Sequence, residues 1–158
     1  MLPQEVAQLT GKTGETVILE VEKGAIRKFA DATDNSNPLY WDEEYARNTR
    51  FGGTIAPPGF FGWPVKWDNP MPFHSELRAE VSDILSRAGY SRTLDGGIDY
   101  DFYLTVRSGD ILSAMPKVQD VYERESKAGK MLFAVIETTY VNQNSDIVAK
   151  ARQTVIHR

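Results

Sequence analysis

The sequence predicts an α+β fold with one antiparallel sheet and helices on one of its faces. A β-branched segment near the N terminus predicts a first strand, and apolar residues then recur at helical spacing through the middle of the chain. From residue 97 onward the apolar spacing changes to strict alternation, which is typical of strands. A run of helices followed by a run of sequential strands indicates an α+β arrangement rather than an alternating α/β one.

The first elements follow from local patterns. Residues 16–24, TVILEVEKG, are β-branched with acidic residues on alternate positions, and they predict a strand. Residues 25–33 predict a short amphipathic helix. A second short helix is predicted over 42–50, because Asp42 is a suitable N-cap and acidic side chains fill the first turn, where the helix dipole favours them. The Gly52–Gly53 pair ends this helix.

Residues 54–73, TIAPPGFFGWPVKWDNPMPF, combine aromatic side chains with prolines. The aromatic side chains predict a buried helix that starts near Pro57–Pro58, since proline is tolerated in the first helical turn. Pro64 predicts a kink in this helix, because proline removes a backbone donor. A further amphipathic helix is predicted over 76–88, where it covers the sheet.

Four strands are predicted in the C-terminal part, over 97–107, 109–125, 130–142 and 146–158. Pro116 indicates a sheet edge or a bulge within the second of them. The first of them has five apolar residues on one face, which is long enough for a strongly curved sheet that wraps around the aromatic segment. These residues are Ile98, Tyr100, Phe102, Leu104 and Val106.

The composition excludes several classes of function. A net charge of −4, with no run of three basic residues, argues against nucleic-acid binding. The absence of cysteine excludes disulfides and thiol chemistry, and two histidines cannot form a three-histidine metal site within one chain. The residues therefore signal no metal and no cofactor.

The location of the protein is predicted from segments that the sequence lacks. Residues 1–15 do not form a signal peptide, and no apolar run of 18 residues predicts a membrane span. We expect a soluble, cytoplasmic protein that forms one domain over residues 1–158 and does not bind membranes.

The stretch DATDNSNPLYWDE, residues 31–43, concentrates polar turn residues before an aromatic pair. Asn35, Asn37 and Pro38 are common in Asx turns that end helices, so a structural turn is one interpretation. The other is the rim of a substrate site. We expect Trp41 to be buried in the core and not to contact a substrate.

Three segments in this order resemble the MaoC-like hydratases and dehydratases, and more narrowly the N-terminal-type MaoC dehydratase domain: FADATDNSNPLYWDEEYA, FGGTIAPPGFF and the strand start at 109–112. The resemblance runs from about Gly11 to the C terminus. It implies a hot-dog fold, in which a curved antiparallel sheet wraps around a central helix, and a dimer of such folds. It also implies reversible addition of water to a 2-enoyl thioester of coenzyme A or acyl carrier protein, which gives an (R)-3-hydroxyacyl thioester.

Active members of this family carry the loop Gly-Asp-x-Asn-Pro-(Leu or Ile)-His-x-Asp. Aligned through residues 37–39, this sequence has Asp34 at the glycine, Asn35 at the catalytic Asp, Tyr40 at the catalytic His and Asp42 at the trailing Asp. An amide does not titrate near neutral pH, and a tyrosine with a reference pKa of about 10 is a poor base there. The two positions that carry the family's chemistry are therefore changed.

The resemblance implies that this chain is the subunit of a heteromeric enzyme that binds the acyl chain, while a partner supplies Asp and His. It assigns substrate contacts to six residues, namely Asn37, Pro38, Asp42, Pro58, Gly59 and Phe60. The backbone N–H of Gly59 is expected at the start of the central helix, where it would polarise the thioester carbonyl. A proline-started helix with a packing glycine is an equally acceptable interpretation.

Three alternatives to the subunit hypothesis remain. A self-sufficient homodimer would use Asp34, brought inward by a bulge, or an unrecognised group, and His74 is a weak candidate to replace the lost base. A hot-dog thioesterase would need a carboxylate near the central helix, and none occurs in that segment before Asp68. The last alternative is a non-catalytic module that binds acyl thioesters.

Overall fold

The computed structural model describes residues 3–66, 75–126 and 129–158, and it has the predicted α+β architecture. The helices are α1 (Gln4–Ala7), α2 (Lys23–Ala32), α3 (Glu43–Arg47) and α4 (Glu76–Arg87), with a 3₁₀ turn at Pro38–Tyr40. The strands are β1 (Val17–Glu20), β2 (Trp63–Pro64), β3 (Thr93–Phe102), β4 (Ile111–Ser126), β5 (Gly129–Val141) and β6 (Ile147–His157). Trp67, Pro70, Pro72 and His74 lie outside the described residues.

The strands form one curled antiparallel sheet in the order β2-β1-β4-β5-β6-β3. Its centre is the long β4–β5 hairpin, whose register shifts between Val118 and Asp120. A bulge of this kind bends a strand and increases its twist, which lets the sheet curl into a half-barrel. Asn142 closes the β5–β6 turn, because its side-chain oxygen accepts bonds from the N–H groups of Asn144 and Asp146.

The helices and the core lie on one face of this sheet. Along β5 every second residue from Leu132 to Tyr140 is buried, as expected for a strand with one covered face. One end of this face packs against α2 and residues 55–61, and the other end packs against α1 and α4. The predicted layer arrangement is confirmed.

Side-chain caps mark where α3 and α4 begin, and the predicted cap at Asp42 is confirmed. Asp42 accepts a bond from the N–H of Tyr45 at 2.9 Å, and Ser75 accepts one from the N–H of Arg78 at 3.4 Å. Such caps satisfy backbone donors that the first helical turn leaves free.

Among the described residues, no helix is long and apolar enough to cross a membrane.

The helix predicted to start at Pro57–Pro58 does not form over residues 57–66. The chain instead makes a turn and then pairs Trp63–Pro64 with β1. Gly59 and Gly62 have φ angles of +88° and +91°, which are incompatible with a right-handed helix. A Cβ on Gly62 would lie 2.4 Å from the carbonyl oxygen of Glu20, so this glycine lets the segment run directly beside β1.

The strand predicted over 97–107 is displaced toward the N terminus, since β3 ends at Phe102. Its predicted apolar face is only partly covered: Val106 is buried, whereas Ile98, Phe102 and Leu104 are exposed. Strand β3 lies at the edge of the described sheet, where one side lacks a neighbouring strand. The alternation therefore predicts the strand correctly but not its burial.

Candidate active site

The loop that follows α2 is shaped by local hydrogen bonds. The N–H of Asn35 bonds to the carbonyl of Ala30 at 2.8 Å, and Asp34 adopts a left-handed conformation with φ of 52°. Aspartate tolerates this region better than most residues other than glycine. The chain therefore reverses direction at Asp34 and leaves the helix toward Asn35.

The polar residues of the motif bind the backbone of the loop itself. The side-chain oxygen of Asn35 accepts a bond from the N–H of Asn37 at 3.2 Å, and that of Asn37 accepts one from the N–H of Leu39 at 3.1 Å. Asn37 thereby caps the 3₁₀ turn that Pro38 begins. With the N-cap bond of Asp42 these contacts fix the path of the loop. Each of these side chains has a structural role.

Two separate cavities flank this loop. The first, which we call the aromatic pocket, has a volume of about 300 Å³ and is lined by Tyr40, Arg50, Phe51, residues 55–61 and residues 102–106. The second, which we call the polar pocket, has a volume of about 480 Å³ and is lined by Arg27, Lys28, Ala30, Asp31, residues 34–36 and Trp41.

The predicted site residues do not all line the same cavity. Tyr40 shares the aromatic pocket with Pro58, Gly59 and Phe60. Asp34 and Asn35 line the polar pocket instead. Asn37, Pro38 and Asp42 belong to the lining of neither cavity. The two motif positions that correspond to the family's Asp and His therefore line different cavities in this structure.

Gly59 occupies a tight turn rather than a helix start. The N–H of Phe60 bonds to the carbonyl of Pro57 at 3.0 Å, which closes the turn. Among the described residues the N–H of Gly59 has no acceptor, and a Cβ at this position would lie 3.9 Å from the phenol of Tyr100. The expected helix-dipole contribution is thus absent, because no helix begins here, while a free backbone donor remains beside the pocket.

Stacked aromatic rings build the wall of the aromatic pocket. The ring of Phe61 stacks on that of Tyr140 with centroids 4.0 Å apart, and it also contacts Tyr100 and Phe102. On the other side of the turn, Phe60 packs against Phe29 at 5.0 Å. Such pairs bury large apolar areas in defined geometries, so the wall is apolar and its rings have defined orientations.

The described lining of the aromatic pocket holds no carboxylate and no imidazole. Among its described lining residues the ionisable ones are Tyr40, Tyr103 and Arg50, with no Asp, Glu or His. Burial raises the pKa of Tyr100 and, more strongly, that of Tyr140 beside the pocket. These phenols therefore stay neutral and can donate hydrogen bonds, but they cannot act as bases at pH 7.

His157 lies elsewhere. It is 1% exposed, is paired in register with Leu132 and lies near Thr93 at the α4 end of the core. Burial lowers its pKa, so its imidazole is neutral. In the described chain no cluster of three or more His, Asp or Glu side chains is placed to hold a metal ion.

Trp41 is not a core residue as expected, since it is 48% exposed. Its ring N–H donates to the carbonyl of Ser36 at 3.3 Å, and Arg27 donates to the carbonyl of Trp41. Trp41 follows the 3₁₀ turn, and its ring lies across the loop and lines the polar pocket. The bond to Ser36 stabilises the loop from its exposed side.

Sequence reasoning missed one wall of the aromatic pocket. Residues 102–106 line it together with Arg50 and Phe51, and Arg50 lies over the ring of Phe51 at 4.8 Å. The alternating pattern FYLTV predicted a strand for this segment. The sequence did offer one signal, because Phe102 and Tyr103 are aromatic and stand close to a polar turn. This pattern indicates that the strand ends here and that the following residues line a cavity.

Comparisons with known proteins agree with this architecture. The family model of the FAS1-like dehydratase domain region matches residues 8–151. A "Probable enoyl-CoA hydratase alpha subunit" of Thermomonospora curvata is 27% identical over 133 residues, which are 80% of this chain and 41% of that protein. A UPF0336 protein of Saccharopolyspora erythraea is 27% identical over 143 residues, 90% of this chain and 84% of that one. The chain thus spans less than half of the first relative and most of the second.

Solved structures share the fold. The ChsH1-ChsH2 complex from Mycobacterium tuberculosis contains a chain that superposes with a TM-score of 0.81 at 18% identity, over 97% of this chain and 93% of that one. A chain of the HadBC (3R-hydroxyacyl-ACP dehydratase) complex from the same organism gives a TM-score of 0.65 at 20% identity, over 94% and 96%. The (R)-hydratase from A. caviae gives 0.61 at 18% identity, over 92% and 94%.

The resemblance and the hot-dog fold predicted from the sequence are confirmed by these comparisons together with the curled sheet. The family is one of hydratases and dehydratases, which are hydro-lyases. The family model covers nearly the whole chain. The chain belongs to the FAS1-like dehydratase domain region family, and its hot-dog fold is the fold of MaoC-like dehydratases of known structure.

Proposed function

We propose that this chain is the acyl-binding subunit of a heteromeric enoyl-thioester hydratase or dehydratase, and that a partner chain supplies the acid and base. The observation that carries the proposal is the set of residues that line the aromatic pocket. It holds Tyr40 at the position of the family's histidine, and its described lining includes no carboxylate and no imidazole. We treat residues 1–158 as one hot-dog domain in this assembly.

The reaction explains why these absences matter. Hydration adds the oxygen of water to C3 of the enoyl thioester and a proton to C2, so one group must accept a proton from water and another must deliver one. Both tasks need a pKa near the working pH. Tyr40, at 7% exposure, offers a hydrogen bond at most, and Asn35 lines a different cavity. The described lining of this pocket therefore supplies neither the acid nor the base, and in the proposal both come from the partner chain.

The aromatic pocket fits the apolar part of an acyl thioester. Its walls are the rings of Phe60, Phe61 and Phe102, and burying apolar ligand surface against them contributes roughly 25 cal/mol per Å². The N–H of Gly59 can donate to the thioester carbonyl, which would orient the acyl group. Coenzyme A and acyl carrier protein thioesters share this acyl chemistry, so either carrier fits the proposal.

The alternative homodimer that uses Asp34 is less well supported. Asp34 is exposed, lines the polar pocket and lies beyond the backbone reversal at the end of α2. A catalytic role would require it to reach the cavity on the other side of the loop. Two of the structural neighbours are complexes of different chains, which supports a heteromeric assembly.

Binding of a 2-enoyl-CoA to the purified chain, measured by calorimetry, tests the proposed role of the aromatic pocket. Leu104→Asp places a charge in the pocket wall and should weaken binding by roughly tenfold or more, because the carboxylate must be desolvated when the acyl chain enters. Met115→Asp is the matched control, since Met115 is 39% exposed on β4 and lines none of the pocket. Equal affinity in both variants would contradict the assignment of this pocket.

A further inference from the structure

A third cavity, which we call the basic pocket, adjoins the aromatic pocket. It has a volume of about 320 Å³ and is lined by Lys23, Glu43, Arg47, residues 52–54 and residues 107–108. This lining carries three cations and one carboxylate, in a chain whose net charge is −4. Lys23 is paired with Glu43, so the two arginines carry the excess positive charge. A local excess of this kind in an acidic protein indicates a site for an anionic group.

The basic pocket and the aromatic pocket share one wall. The N–H of Ala56 donates to the carbonyl of Val106 at 2.8 Å, and Ile55 forms a β-bridge with Arg107. Ile55, Ala56 and Val106 line the aromatic pocket. Thr54 and Arg107, which are next to them in the chain, line the basic pocket. A ligand that lies along these two segments therefore reaches an apolar cavity at one end and a cationic cavity at the other.

Three arginines beside this wall have no carboxylate partner for their side chains among the described residues. Arg47 is exposed, and its guanidinium makes no ion pair or hydrogen bond to any part of the chain that the structure describes. Arg50 lies over the ring of Phe51, and Arg107 donates to the carbonyl of Phe51. Asp110 accepts a bond from the backbone N–H of Arg107 and not from its side chain. The positive charge of these arginines is therefore available to a ligand.

The segment beside these arginines also offers neutral donors. The N–H groups of Gly53 and Thr54 have no acceptor among the described residues. The hydroxyl of Thr54 has no partner in the described chain either, although this residue is only 8% exposed. A Cβ on Gly53 would have nothing within 4 Å, so the space around this position is open. Free backbone donors next to guanidinium groups can bind the oxygens of a phosphate.

We propose that the basic pocket binds the phosphates of coenzyme A, so that the substrate of this chain is a coenzyme A thioester. This inference rests on the proposed acyl-binding function and adds the carrier of the acyl group. The acyl group and the phosphates lie at opposite ends of one pantetheine arm, which matches two adjacent cavities of opposite chemistry. The phosphates of coenzyme A carry roughly four negative charges, whereas the phosphodiester of an acyl carrier protein carries about one, so the three arginines suit the nucleotide.

Three thioesters with the same 2-enoyl group separate the contribution of the phosphates from that of the acyl group. They are the thioesters of pantetheine, 4′-phosphopantetheine and coenzyme A, and calorimetry measures their binding to the purified chain. Affinity should rise in this order, and the coenzyme A thioester should bind at least roughly tenfold more tightly than the pantetheine thioester, because charge-assisted hydrogen bonds hold its phosphates. This advantage should shrink as salt is added, since salt screens exposed charges.

Variants assign this advantage to the basic pocket. Arg47→Glu and Gly53→Glu should each weaken binding of the coenzyme A thioester by roughly tenfold and leave the pantetheine thioester within about twofold, because neither residue lines the aromatic pocket. Arg92→Glu is the matched control for Arg47→Glu, since Arg92 is exposed and lines neither pocket. Gly53→Lys adds similar bulk with the opposite charge, and it should bind the coenzyme A thioester roughly tenfold more tightly than Gly53→Glu.

Three outcomes would overturn the inference. They are equal affinity for the pantetheine and coenzyme A thioesters, equal affinity for the phosphopantetheine and coenzyme A thioesters, and an equal loss of affinity in Arg47→Glu and Arg92→Glu. Each leaves the acyl-binding proposal standing, because Leu104→Asp tests that proposal with the pantetheine thioester, which has no phosphate. If the acyl proposal fails instead, adenosine 3′,5′-bisphosphate should still bind to the wild-type chain and bind roughly tenfold more weakly to Arg47→Glu.

Discussion

At the scale of single residues, the loop after α2 keeps hydrogen bonds that fix its path but lacks the two side chains that carry the family's chemistry. Asn35, Asn37 and Asp42 each accept a backbone N–H, which preserves the path of the loop. Aspartate at position 35 would accept the same bond, so the loop itself does not exclude it. What this chain lacks is a shared cavity for positions 35 and 40, since they line different pockets.

This separation predicts that the family's two catalytic residues do not restore activity here. The Asn35→Asp/Tyr40→His variant should fold, because position 35 keeps its acceptor for the N–H of Asn37, yet it should show no hydration of 2-enoyl-CoA above the wild-type chain alone. Loss of enoyl absorbance measures the turnover, and circular dichroism confirms folding. Turnover at a rate typical of enzymes, about 1 s⁻¹ or more, would show that the two positions do cooperate.

At the scale of elements, the segment 57–66 is the largest departure from the sequence prediction. Aromatic spacing favours a helix there, but the positive φ of Gly59 and Gly62 and the pairing of Pro64 with Leu19 produce a turn and an edge strand. The consequence is functional, because residues 57–61 line the aromatic pocket instead of forming a helix across it.

Gly62→Ala tests how firmly this segment is held against β1. The added Cβ would meet the backbone of Glu20 at 2.4 Å, and φ is +91°, so the unfolding free energy should fall by roughly 2 to 4 kcal/mol. Gly11→Ala is the matched control, since its φ is also +91° but nothing lies within 4 Å of its Cβ. Urea unfolding compares the two; an equal loss in both variants would mean that strain in φ, and not the contact with β1, sets the cost.

Most of the elements could be predicted because their patterns are local. The cap at Asp42, the period of α2 and α4, and the alternation in β5 all depend on neighbouring residues, and each of these elements is present within a few positions of its prediction. The loop motif also located the candidate site. These features need no knowledge of contacts between distant segments.

The rest depends on contacts between distant segments. Gly62 matters because β1 lies beside it, and Phe102 is exposed because β3 is an edge strand and not an inner one. The placement of Asn35 and Tyr40 in different cavities follows from the reversal at Asp34 together with the position of residues 102–106. Alternation reports a strand but not which neighbours cover it, so the walls of the pocket could not be read from the sequence.

At the scale of the whole molecule, one apolar pocket and one open sheet edge belong to the same strand. Strand β3 contributes Phe102 to the pocket wall and carries Asp99 and Asp101 on its open edge. In our proposal a partner chain brings its acid and base to the thioester bound in this pocket, so that two incomplete chains form one active site.

The most direct test of this account is hydration of a 2-enoyl-CoA by the purified chain, alone and after mixing with a separate hot-dog chain that carries an intact Gly-Asp-x-Asn-Pro-x-His loop. Native mass is recorded on the same samples. We expect no turnover by the isolated chain, and turnover together with a heteromeric mass in the mixture. Turnover by the isolated chain that is lost in Asp34→Asn would contradict the account and would assign the chemistry to a homomeric enzyme that uses Asp34.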